Sequence, residues 1–131
     1  MFLFAVSLAS FSAKPGGEGF EIFLDQQLVI QQFGNMTAPA LPLGDRTTGS
    51  KMFIKYHHCG KTGKDRVITL KDENNKVRKV YHFPDSPSST NVMSLDLKEI
   101  KQLKTATTTS FKLYYASSEL PAGRQLAKIE L

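Results

Sequence analysis

The sequence predicts an all-β protein, an antiparallel β-sandwich of about seven strands with one short helical turn. Three observations carry that expectation. Short segments whose apolar residues alternate with a period of two recur from Phe20 to Leu131, as half-buried strands require. Clusters of Gly, Pro, Asn, Asp and Ser separate these segments at the intervals where a sandwich turns. Helical spacing occurs once, at Leu97, Ile100 and Leu103.

Taken in order, Phe20, Ile22 and Leu24 point one way while Glu21 and Phe23 point the other, which makes a first strand. Asp25-Gln26-Gln27 is a tight turn into residues 28–33, so the two arms form a hairpin. Residues 34–50 hold Pro39, Pro42, Gly44 and Gly49 and read as a long connection, with Leu41 and Leu43 as a short edge strand inside it. Met52, Ile54 and Tyr56 share one face of the next strand, and Phe53, Lys55 and His57 share the other. Residues 64–83 form the plainest hairpin, turning at Asp72-Glu73-Asn74-Asn75. Its second arm breaks alternation between Val77 and Val80, which places a bulge near Arg78 and Lys79.

Met93, Leu95 and Leu97 alternate as a strand, and Asp96 with Glu99 has the form of a helix-capping box ahead of Ile100 and Leu103. Phe111, Leu113 and Tyr115 make a strong strand, and a last strand with Ala127, Ile129 and Leu131 is expected after Pro121-Ala122-Gly123. The run from Val92 through the helical turn to Phe111-Lys112-Leu113-Tyr114-Tyr115-Ala116 is similar to the strand, one-turn helix and Tyr-bearing strand of immunoglobulin-like domains. That resemblance implies a sandwich of immunoglobulin-like style, without the two hallmark cysteines or the core Trp. It implies no activity.

Residues 1–13, MFLFAVSLASFSA, pass from an apolar run into small residues and then into Lys14-Pro15-Gly16-Gly17. This reads as a signal peptide, cut after Ser12 or Ala13, whose positively charged start is missing; the other reading is a first strand of the fold. The Pro-Gly-Gly break favours the leader and an exported, periplasmic or extracellular protein. The run is too short to anchor the chain across a bilayer. Residues 14–131 then form a single β-sandwich domain, long enough for one core.

Composition narrows the function classes. Seventeen Lys and Arg against 12 Asp and Glu give +5, but the bases are spread along the chain without the dense block of a nucleic-acid arm. Nucleic acid is therefore disfavoured, and a protein or glycan partner is the better expectation. The single Cys59 excludes an intrachain disulfide.

No catalytic residues can be nominated, and the chain reads as non-enzymatic, with no cofactor. Gly60-Lys61-Thr62 lacks the leading Gly and the following helix of a phosphate loop. Cys59 beside His57 lacks an orienting partner for nucleophilic work. The scattered carboxylates form no facing pair, and Asp72-Glu73-Asn74-Asn75 lacks calcium-loop spacing. Two candidate sites remain. His57, Cys59 and His82 carry metal-ligand chemistry suited to zinc or copper, although strand alternation separates His58 from them. Phe53 and Lys55, with Lys112 and Tyr114, interleave rings with cations and form a candidate ligand-binding face, of the kind that stacks a sugar. The leading expectation is a non-enzymatic exported sandwich that binds a partner or serves as a structural accessory. A small metal-binding protein and a carbohydrate-binding module are its alternatives.

Overall fold

The computed structural model describes residues 19–33, 38–44, 50–57, 63–85 and 92–131. The leader expected over residues 1–13 lies outside them, as do His58 and Cys59. The described residues are 65% strand and 6% helix.

Period-two alternation becomes burial wherever the sequence shows it. In β1 (Gly19–Leu24) Phe20, Ile22 and Leu24 are buried, and in β4 (Lys51–His57) Met52, Ile54 and Tyr56 are. Between them run β2 (Gln27–Phe33) and β3 (Ala40–Pro42). The hairpin of β5 (Arg66–Lys71) and β6 (Val77–Phe83) follows, then β7 (Met93–Asp96), the helix α1 (Leu97–Gln102), β8 (Ser110–Ser117) and β9 (Leu120–Glu130).

Among the described residues nine strands, where about seven are expected, divide into a four-stranded sheet of order β2-β1-β4-β7 and a five-stranded sheet of order β3-β9-β8-β5-β6. Their buried faces share one apolar core, from Phe20, Ile54 and Leu95 on one side to Ile68, Phe111 and Ile129 on the other. The sequence of neighbours β1-β4-β7 and β9-β8-β5-β6 matches the A-B-E and G-F-C-C′ orders of immunoglobulin-type sandwiches. Pairing is antiparallel throughout the described ladders except for β3, which runs parallel to β9 and is tied to it by Leu43 N–H donating to the Glu130 carbonyl at 2.9 Å.

Local chemistry sets the turns. Asp25, Asp65 and Asn75 take positive φ, the left-handed region that Asp and Asn enter at lowest cost among residues with a Cβ. In the β5–β6 turn the Asp72 carboxylate accepts the backbone N–H groups of Asn74 (2.9 Å) and Lys76 (3.0 Å). The Lys76 bond, with help from Asn74 and Arg78, holds that carboxyl below its ordinary range. The predicted bulge is present, since Leu70 pairs with Lys79 and Lys71 with Val77, leaving Arg78 unpaired. Asp96 caps α1 by accepting the Lys98 N–H at 3.0 Å.

The last strand starts earlier than expected. Pro121-Ala122-Gly123 looks like a turn in the sequence, but the turn is Ser118-Glu119 and β9 begins at Leu120. Residues 121–123 form a bulge between the Ser117–Leu120 and Tyr115–Arg124 pairs. An unpaired stretch is where a strand tolerates a Pro without losing a ladder bond, and Gly123 supplies a φ of +79°.

Candidate functional site

The outer face of the four-stranded sheet is built from residues that alternate with the core. Strand register brings Leu28 of β2 opposite Phe23 of β1, Phe23 opposite Phe53 of β4, and Phe53 opposite Ser94 of β7. The result is an apolar row that crosses all four strands and ends on a hydroxyl. The next row is polar, with Gln31 opposite Glu21 and Glu21 opposite Lys55. The Gln31 amide donates to Glu21 Oε2 at 2.8 Å.

An open groove of 460 Å³ lies over the apolar row, lined by Phe23, Phe53, Val92, Asp25, Gln26, Lys55 and Ser94. Phe23 and Phe53 are half-buried, Val92 in the lining stands 42% exposed, and Leu28, next to Phe23 in the row, is 43% exposed. Lys55 places its Nζ 5.2 Å from the centroid of the Phe23 ring, within cation–π range. Asp25 fixes the groove's end: its N–H donates to the Lys51 carbonyl at 2.8 Å, and its Oδ1 accepts the Lys51 N–H at 3.0 Å. Two rings on a strand-supported floor, with a carboxylate, an amide, an ammonium and a hydroxyl around them, can hold a ligand that has one flat apolar face and polar groups at its rim.

The four residues expected to form one ligand face do not share one. Phe53 and Lys55 are on the outer face of the four-stranded sheet. Lys112 and Tyr114 alternate with buried Phe111, Leu113 and Tyr115 in β8, so they face outward from the other sheet. The whole thickness of the sandwich separates the two pairs.

The expected metal ligands separate in the same way. His57 lies on the outer face of the four-stranded sheet, where its Nε2 is 3.4 Å from Glu21 Oε1 and its ring stacks on Phe33 with centroids 6.2 Å apart. His82 lies on β6, paired with Val67 and exposed on the outer face of the five-stranded sheet. His57 and His82 therefore cannot bind one ion together, and Cys59 lies outside the described residues. Among the described residues no group of three or more His, Cys, Asp or Glu side chains is gathered as a metal site.

Phe23, Asp25, Gln26, Val92 and Ser94 are groove residues that the sequence reading did not nominate. One signal was present: Phe23 is an aromatic residue on the strand face opposite to Phe20, Ile22 and Leu24. No protein-family model, no curated protein and no solved structure matches the chain. No described helix is long and apolar enough to cross a membrane.

Proposed function

We propose that the chain is an exported, non-enzymatic binding protein that holds a saccharide in the groove on the outer face of its four-stranded sheet. The observation that carries this reading is the in-register row of Leu28, Phe23, Phe53 and Ser94 beneath an open groove. A sugar ring presents an apolar face of CH groups for stacking and hydroxyls at its edge. Phe23 and Phe53 meet the first requirement, and Asp25, Gln26, Lys55 and Ser94 meet the second.

A floor of two Phe rings without paired acids or an activated nucleophile suits binding rather than bond cleavage. Export rests on the apolar run of residues 1–13. N-terminal sequencing of exported protein should begin near Ala13 or Lys14, and recovery of intact Met1 would remove that part of the reading.

Binding is tested by probing an array of neutral oligosaccharides with the full chain and with the variant F23S/F53S. The reading expects selective binding that the variant loses while its far-UV spectrum is unchanged. No binding by the wild-type chain, or binding retained in the variant, would contradict it.

A further inference from the structure

The outer face of the five-stranded sheet carries a second arrangement, independent of the groove. Lys71 of β5 stands opposite Lys112 of β8, and Lys112 stands opposite Lys128 of β9. All three alternate with buried neighbours: Leu70 beside Lys71, Phe111 and Leu113 around Lys112, and Ala127 and Ile129 around Lys128. They form one row of ammonium groups across three adjacent strands on the side away from the core.

Directly opposite side chains lie about 5 Å apart at Cβ, and like charges at that position oppose folding. The row is therefore a standing repulsion. No ion pair among the described residues neutralises any of the three. Their partners are neutral: Lys112 Nζ donates to Asn75 Oδ1 at 2.7 Å, and Lys71 Nζ lies 4.6 Å from the centroid of Tyr114. The bordering carboxylates are Glu130, two residues beyond Lys128, and Glu73 in the β5–β6 turn. Glu73 already accepts a hydrogen bond from Ser110 Oγ at 2.9 Å.

We propose that Lys71, Lys112 and Lys128 form a binding site for an anionic polysaccharide, whose sulfate or carboxylate groups lie along the row and remove its repulsion. The row spans about 10 Å across the strands, a reach that suits successive charges on one chain better than a single small anion. Single-stranded nucleic acid fits less well, because it is held by open aromatic platforms and Lys71 covers the Tyr114 ring. Duplex nucleic acid is read by an element that enters a groove, which a broad sheet face cannot do.

The test measures binding of the full chain to dextran sulfate, with uncharged dextran and an oligothymidine as comparison probes. The variant K71Q/K112Q/K128Q is set against K64Q/K98Q/K104Q, which removes the same charge from exposed lysines elsewhere. Salt-sensitive binding to dextran sulfate well above any binding to dextran, and a loss of that excess by at least about tenfold at low salt in the first variant alone, are expected. The variant K71R/K112R/K128R should bind like the wild type, which separates lost charge from altered packing. Equal loss in both glutamine variants would show that net charge alone is responsible. That result, absence of binding to dextran sulfate, failure of the arginine variant to bind, or tighter binding to the oligothymidine at matched charge would each overturn the proposal.

Discussion

Tyr56 of β4 and Tyr115 of β8 stack across the two sheets, with ring centroids 4.3 Å apart and 22° between their planes. Phe20 extends the stack at 6.4 Å from Tyr56, and the Arg124 guanidinium lies 5.1 Å from the centre of Phe20. In immunoglobulin-type sandwiches a disulfide joins the strands that hold these places in the sheet order. Here a ring contact links them, in a chain with one cysteine. Tyr115→Ala should cost about 3–5 kcal/mol, as for a buried Phe, whereas Tyr115→Phe keeps the ring and should cost less than about 1.5 kcal/mol. Urea unfolding measures both, and equal losses would contradict a role for the stack.

The same burial sets a limit at alkaline pH. Burial pushes the Tyr115 hydroxyl up to about 12. Burial, followed by the neighbouring Glu99 carboxylate, raises that of Tyr81, which donates to Glu99 Oε1 at 3.2 Å. An unfolded tyrosine titrates near pH 10, so the folded chain keeps these protons longer than the unfolded one. Stability from this source is full below about pH 10 and is lost as pH rises beyond it. Melting temperatures recorded from neutral pH into this range should fall, and should fall less in Tyr81→Phe. A flat profile would show that neither phenol is linked to folding.

Gly19 marks a close approach of β1 to β2. A Cβ there would sit 2.7 Å from the Gln32 carbonyl oxygen and nearer still to the Phe33 ring. The backbone oxygen cannot rotate away as a side chain could. Gly19→Ala is therefore expected to cost about 1–3 kcal/mol through overpacking and to displace Phe33 from His57. Chemical denaturation would register the loss, and an unchanged midpoint would mean that β2 shifts freely.

How much of this was legible in the sequence depended on the range of the interaction. Alternation in Phe20, Ile22 and Leu24, the turn at Asp72, the bulge at Arg78 and the Asp96 cap are local, and each is present in the structure. Sheet membership is not local. It depends on which distant strands pair, and it put Phe53 and Lys55 on one outer face and Lys112 and Tyr114 on the other. It also separated His57 from His82. Both rows of side chains require registers across several strands, which no single segment encodes: Leu28-Phe23-Phe53-Ser94 on one sheet, and Lys71-Lys112-Lys128 on the other. Pro121 and Gly123 misdirected the reading of β9 because a bulge and a turn draw on the same residues.

We propose the groove over Phe23 and Phe53 as the ligand-contacting face. Its most direct test is a titration of the ¹⁵N-labelled chain with the strongest-binding neutral oligosaccharide from the array, read by amide chemical shifts. The largest shifts should cluster at Phe23, Asp25, Gln26, Phe53, Lys55 and Ser94, while Lys112 and Tyr114 on the opposite face stay still. Shifts confined to the five-stranded sheet, or spread evenly over both faces, would contradict it.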